Sequence, residues 1–467
     1  MSSLLNIANP QKTSWQVNFA KDLPPYLDPV ITDWLLQSPE ILTRLTDMYS
    51  SPLNIVWPHT MANNFKAMAA VTESFGIKSK FYYGVKVNKS QALLQAAVSA
   101  GAGADVSSLQ ELHDAIRAGC HGVDLCATGP AKTRDFLQEL ILKGARIAVD
   151  SYQELRDIIE LAQIWRGNFE KISLLLRLRP DANCSSRFGM LSDEIIIALH
   201  SLVDNKHLEL AGFHFHLSGY APETRVSALL DTLPLITYAR NLGLDPRIID
   251  IGGGLPVQYV ESQCYKTWLS SQKFADYRTG KVPACFYPYG GELNAEQWLT
   301  VFLESQNSVG DRISDILCKE GLTLCIEPGR SLVNQSAISV FRVCRVRPHT
   351  DDSSVIFIEG SSFSACETWF NSEFLIDPIH LRSSNHAQNH SPGKAWIAGH
   401  SCLDEDVITN RLISFLHLPQ PGDLLVFVNT AGYQMDLLEN QFHRHPLPTR
   451  LTALMNPSNK LMFTVDN

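Results

Sequence analysis

The chain has 467 residues, 45% of them hydrophobic and 19% charged, the make-up of a folded protein with core enough for two or three domains. Thirty-nine Lys and Arg against 48 Asp and Glu give a net charge of −9 with no strong basic run, which argues against nucleic acid or an anionic membrane as the main partner. Ten cysteines without a CxxC pair suit reduced thiols better than a disulfide framework or a zinc site. No basic leader with an apolar core and no apolar run of ~18–20 residues is legible, so a cytoplasmic protein of enzyme size is expected.

In chain order, residues 1–52 form an N-terminal segment with a helical tendency between Pro29 and Tyr49, part of it joining a later β-rich domain. Leu53–Trp57 reads as a strand of that domain or a bridge to it. A regular series of strand-like runs follows: Lys80–Lys86, Gly103–Val106, Val123–Cys126, Ala145–Val149, Ile172–Arg177, Leu210–Leu217, Arg247–Ile251 and Leu322–Glu327. Amphipathic helical stretches such as Thr133–Lys143 and Val226–Leu242 separate them. Eight alternations over about 250 residues predict an α/β fold, a (β/α)8 barrel of the TIM type, over residues 53–335. The gap between Ile251 and Leu322 is longer than one helix and two loops need, and the aromatic-rich stretch 259–291 is read as an ordered insertion. Residues 336–467 carry strand-like runs without regular helices (Ala337–Val346, Ser354–Glu359, Lys394–Ala398, Asp423–Asn429), so a β-rich C-terminal domain is expected.

A barrel of this kind does its chemistry at the C-terminal ends of its strands. There the sequence places Lys86, Asp105, Ser108, Asp150, His216, Gly252, Gly253, Gly254, Glu327 and Arg330. Alternation puts Lys86 on one face with Tyr82 and Gly84. A lysine held in a desolvated pocket has a lowered pKa and forms Schiff bases, while the plain alternative is a lysine snorkelling from a strand end. The pair His214 and His216 suits a metal, a ring-stacking imidazole or a satisfied core histidine. Later strand ends offer glycines and one Glu rather than further ligands, so no metal is expected. Three glycines after a strand let backbone N–H groups close around a phosphate, although such turns are common. Glu327 and Arg330 flank a Pro-Gly turn, which also suits a simple salt bridge. One ligand uses all these groups together: pyridoxal 5'-phosphate, whose aldehyde needs a lysine, whose phosphate needs amides, whose ring needs a stacking partner and whose ring nitrogen needs a carboxylate to stay protonated.

From about residue 53 to 437 the sequence resembles the fold type III pyridoxal-phosphate-dependent decarboxylases, the ornithine, arginine and diaminopimelate decarboxylase group, and within it the Y4yA-type branch. Tyr83-Gly-Val-Lys86-Val-Asn88 is similar to the family's lysine motif and Gly103-Ala-Asp105-Val-Ser-Ser108 to its second-strand motif. His216-Leu-Ser218-Gly219 stands where the family has a ring-stacking histidine followed by Gly-Ser, here with Ser and Gly exchanged. Asp250–Gly254 is similar to the phosphate loop and Glu327-Pro-Gly329-Arg330 to the pyridinium and phosphate contacts. Gly399–Asp406 resembles a Cys-x-x-x-Asp motif, and Ala431-Gly432-Tyr433 the phosphate-touching tyrosine. The resemblance implies an alanine racemase-like barrel with a β-rich domain, a homodimer with sites at the subunit interface, and a small amino-acid substrate. It implies Lys86, Glu327, His216 and Cys402 as catalytic residues. Asp105, His216, Ser218, Gly252, Gly253, Gly254, Gly329, Arg330 and Tyr433 would join Lys86 and Glu327 in holding the cofactor.

The expected activity is decarboxylation of an amino acid or amino-acid conjugate, with Cα reprotonated by Cys402 of the partner subunit. Polyamine or siderophore biosynthesis would be suitable settings. Racemisation or a non-catalytic regulatory role are the alternatives; Glu327 counts against the first and the retained cofactor residues against the second. Two departures leave the substrate open. Leu403 follows the cysteine where ornithine- and diaminopimelate-acting members have an acidic residue, with Asp404 one place later, and the segment Ser361–Ser372 is longer than the pattern. Asp377, Asp404 and Asp406 are the candidate substrate contacts, and the stretch 259–291 a candidate lid.

Overall fold

The computed structural model describes residues 15–466 apart from 165–170, 181–184, 204, 285, 289, 351, 366–375, 384–390, 438–442 and 459. Two strands precede the barrel, β1 (Trp15–Asn18) and β2 (Leu53–Val56), with helices Pro29–Gln37 and Pro39–Tyr49 between them. The barrel strands are β3 (Lys78–Gly84), β4 (Gly103–Val106), β5 (Leu125–Ala127), β6 (Arg146–Val149), β7 (Ile172–Arg177), β8 (Leu208–His214), β9 (Ile248–Asp250) and β10 (Thr323–Ile326). Each pairs in parallel with the next, and β10 closes on β3 with Thr323 opposite Lys78 and Ile326 opposite Phe81. The eight-stranded barrel expected from the alternation is therefore present.

Period-2 alternation sorts the strand residues into two shells. Tyr83, Ala104, Val106, Leu125, Ala127, Ile147, Val149, Leu174, Leu176, Phe213, Ile249, Leu324 and Ile326 pack outward against the helices in the main core. Tyr82, Cys126, Ala148, Leu175, Ala211, Ile248 and Cys325 fill the interior as a separate cluster. The inward parity continues to the upper strand ends, where it carries polar groups instead: Asp105, Arg177, His214, Asp250 and Glu327, all buried.

Not every buried charge serves that end. Lys132 Nζ, on the loop after β5, reaches Glu154 Oε1 at 2.7 Å with both side chains almost wholly buried, and also donates to the carbonyls of Gly129 and Ala148. Removing one member of such a pair strands the other. Lys132→Ala is expected to cost about 3–5 kcal/mol in urea unfolding. Replacing both residues with apolar groups is expected to recover most of it; equal losses in the single and double variants would contradict the pairing.

The remaining strands are β11 (Ala337–Thr350), β12 (Ser353–Ile358), β13 (Ile379–Ser383), β14 (Gly393–Ala398), β15 (Val407–Phe415), β16 (Leu424–Val428), β17 (Thr449–Met455) and β18 (Leu461–Val465). With β1 and β2 they form a ten-stranded sheet in which β2 lies antiparallel to β11 and parallel to β17. One of its two cores, built on Ile338, Val340, Leu424 and Val426, also takes in Ile55 and the insertion residues Tyr259, Val260 and Tyr265. Inside that insertion a helix spans Ser262–Ser271, and Tyr265 Oη donates to the Tyr287 carbonyl at 2.5 Å. No helix among the described residues is long and apolar enough to cross a membrane.

Candidate active site

The first barrel strand stops at Gly84, and Lys86 sits on a single 3-10 turn, Val85–Val87. The expectation that strand alternation would aim this lysine is therefore corrected: the turn aims it. Lys86 Nζ lies 3.2 Å from Asp105 Oδ2, while Thr128 Oγ1 donates to Asp105 Oδ1 at 2.6 Å. The lysine side chain is 42% accessible and the Asp105 side chain fully buried. The expectation of a lowered lysine pKa is corrected as well: the Asp105 carboxylate raises it, outweighing burial. Burial pushes Asp105 up to about 6, against the pull of Lys86.

Across the mouth, Glu327 leaves the end of β10 fully inside. His214 Nε2 lies 3.2 Å from Glu327 Oε1, and His216 Nδ1 lies 3.7 Å from Glu327 Oε2. Burial alone would raise the Glu327 carboxyl, but His214, then His216 and the Lys86 ammonium, hold it well below the usual carboxylate range. Burial lowers both histidines. β10 pairs in parallel with β3, so Glu327 and Lys86 follow neighbouring strand ends at the same mouth of the barrel.

The glycine turn joins these two sides. Gly252 N donates to Asp250 Oδ1 at 2.9 Å, and Gly253 N reaches His216 Nδ1 at 3.2 Å. Gly252 has φ +68°, and a Cβ there would lie 2.6 Å from His216 Nδ1. Only glycine permits both the turn and the imidazole against it. Asp250 is fully buried with Oδ2 unpartnered, and burial, then Glu327, raise its pKa well above the usual carboxylate value.

Tyr433 comes from the loop after β16, at φ +74°, its N–H donating to Val87 O at 2.8 Å. Arg330 donates to Gly432 O at 2.9 Å and lies between two rings, 4.9 Å from the Tyr433 centroid and 5.0 Å from that of Tyr287. A Cβ on Gly329 would come 3.3 Å from Tyr433 Oη. Arg330, Gly329, Tyr433 and the insertion's Tyr287 thus form one wall.

Other expected residues lie elsewhere. Ser218 is exposed, and Ser108 caps the helix Leu109–Arg117 by accepting from Glu111 N. Asp150 pairs with Arg177 at 2.9 Å. Cys402 is exposed on the loop between β14 and β15; its neighbours Ser401 and Leu403 line a hollow with Phe363, His400 and His445 that none of the barrel-mouth residues lines. Asp404 is exposed on the same loop. Asp406 is buried and accepts from Ser362 N at 2.7 Å and Ser401 N at 3.0 Å. Asp377 is buried, ion-paired to Arg411 and accepting from Leu23 N at 3.0 Å. Residues 366–375, most of the long segment noted above, lie outside the described residues.

Sequence reasoning passed over Thr128, Arg177 and Tyr287 and left His214 open between a metal ligand, a stacking imidazole and a core histidine. Strand parity was the available signal for Arg177 and His214; Thr128 and Tyr287 sit on loops, where no periodicity marks them.

The site fits pyridoxal phosphate on its own geometry. It has a lysine paired to Asp105, a buried carboxylate bonded to His214 at the neighbouring strand end, and a turn with no room for a Cβ between the imidazole and the loop.

A family profile described as "Pyridoxal-dependent decarboxylase, pyridoxal binding domain" matches residues 62–334. A Sinorhizobium fredii protein named "Uncharacterized protein y4yA" is 51% identical over 432 residues, 92% of this chain and 94% of that one. The L-glutamyl-[BtrI acyl-carrier protein] decarboxylase of Niallia circulans is 24% identical over 435 residues, 88% of this chain and 90% of that one. Among solved structures, the diaminopimelate decarboxylase of M. jannaschii in complex with L-lysine superposes with a TM-score of 0.71 at 17% identity, covering 91% of each chain.

Proposed function

The chain belongs to the pyridoxal-dependent decarboxylase family, a carboxy-lyase whose cofactor is pyridoxal 5'-phosphate, and from that premise we propose that it removes the α-carboxylate of an amino acid or amino-acid conjugate at the barrel mouth. The observation that carries this reading is the placement of Lys86 and the buried, His214-bonded Glu327 at neighbouring strand ends of one barrel mouth. When bound, the cofactor supplies an electron sink for the pair released as a bond to Cα breaks.

The chain's own residues do the rest. Lys86 is the point of covalent attachment, and Asp105 fixes its position and charge. Glu327, bonded to His214, would offer an acceptor where a ring nitrogen must stay protonated, and His216, packed against the glycine turn, would meet a ring face. The glycine turn 252–254, whose first two amides donate to Asp250 and His216, would hold the phosphate with Arg330 and Tyr433. We propose that two chains associate and that Cys402 of the partner subunit delivers the proton to Cα. Exposure of Cys402 on its loop supports a role outside its own barrel. Asp377 and Asp406 have their carboxylates engaged within the chain, and neither is assigned a substrate contact.

The test is CO2 release from purified, cofactor-loaded protein over a panel of ornithine, arginine, lysine, diaminopimelate, glutamate and glutamyl conjugates. Release with the matching amine as co-product is expected from at least one member. No release from any, with Cα hydrogen of some member exchanging into solvent or inverting, would contradict decarboxylation.

A further inference from the structure

One cation near the site has no part in the assignments above. Arg225, in the first turn of the helix Pro222–Asn241, is fully buried. Its Nη2 donates to the carbonyls of Leu217 (2.8 Å) and Gly253 (3.4 Å), and Nη1 to Ser218 O (3.4 Å), Ala221 O (3.5 Å) and Thr224 Oγ1 (3.3 Å). Nε is buried with no partner. Among the described residues no carboxylate pairs with it.

A buried guanidinium without a counter-ion is costly, and carbonyl dipoles offset only part of that cost. The first turn of a helix makes it worse, because the helix dipole there repels cations. The chain nevertheless makes room for this group: Gly254 has φ +84°, and a Cβ there would collide with Arg225 Nη2. The charge therefore lies directly behind the glycine turn, touching both Gly253 and Gly254.

Resting on the cofactor reading above, we infer that Arg225 is a positioning residue for the phosphate: its charge, set behind Gly253 and Gly254, selects a dianionic phosphomonoester at the turn. The anion supplies the missing counter-charge through the loop rather than by direct contact. An exclusively structural role, pinning the loop through its carbonyls, would not be rescued by lysine, which keeps the charge but not the fork of carbonyl contacts.

The experiment compares apoprotein binding of pyridoxal phosphate with that of pyridoxal, which lacks the phosphate, in wild type, Arg225→Gln and Arg225→Lys. In Arg225→Gln the preference for the phosphorylated form is expected to fall about tenfold or more, with pyridoxal affinity changed less than about twofold. Arg225→Lys, which keeps the charge, is expected to recover most of the preference. A measurement on wild type alone guards against a variant that does not fold: inorganic phosphate should raise the apoprotein melting temperature, and chloride at equal ionic strength should not. Equal losses for both ligands, an unchanged preference, or no phosphate stabilisation would overturn the inference while leaving the cofactor reading in place. Wild type that binds neither compound would overturn that reading, and this inference with it.

Discussion

Lys86→Ala is expected to lower the rate of CO2 release by about 10⁴-fold, the upper end of the range for a single positioned proton-transfer group. Two roles vanish together: covalent attachment and the ammonium that Asp105 holds at this mouth. The fold should tolerate the change. The lysine side chain is 42% accessible, so little packing is lost, and Asp105 keeps the hydrogen bond from Thr128. With its cation gone, burial raises Asp105 further, so that it takes up a proton instead of standing as a bare charge. An unchanged urea midpoint with lost turnover, partly restored by added small primary amines, is the expected pattern. Turnover within about tenfold of wild type would contradict it.

Glu327→Gln is expected to cost about 10²–10³-fold, the scale set by removing one preorganised electrostatic partner. Glutamine keeps the shape and a hydrogen-bond acceptor for His214 but cannot balance a charged ring nitrogen. Glu327→Asp, which keeps the charge on a shorter stem, should recover part of the loss. The same pair of proteins tests the electrostatics without substrate. Because the folded carboxyl titrates well below its unfolded value, its contribution to stability is present above the unfolded pKa of about 4.3 and is lost as pH falls toward the folded one. The stability gap between wild type and Glu327→Gln should therefore narrow below about pH 4, as followed by urea unfolding. A gap that does not change between neutral and acid pH would mean that the carboxylate is not held ionised by its histidines.

The barrel was legible because parity in short strands separates packing from chemistry. In β4, Ala104 and Val106 face the helices while Asp105 faces in; in β10, Leu324 and Ile326 face out while Cys325 and then Glu327 face in. A pattern of that kind survives in a single sequence. Lys86 was found by the same parity for a different physical reason, since the strand ends at Gly84 and a 3-10 turn carries the lysine onward.

The β-rich sheet was only half legible. The runs at β11, β12, β14 and β16 are mostly apolar, whereas β13 and β15 hide charges inside. His380 of β13 pairs with Asp423 at 2.9 Å, and Arg411 of β15 pairs with Asp377. Neither strand reads as a buried element when its partner is unknown. The same blindness made Asp377 look available for substrate, because Arg411 reaches it only once the sheet is assembled. Arg225 left no mark at all, since a basic residue in a helical first turn is ordinarily a solvated one.

The most direct test of the account is to reduce the cofactor-loaded wild-type protein with borohydride, digest it and locate the pyridoxyl label by mass spectrometry. The label is expected on Lys86, in the peptide that contains Tyr83-Gly-Val-Lys86. A label on another lysine, or none despite bound cofactor, would contradict the central claim.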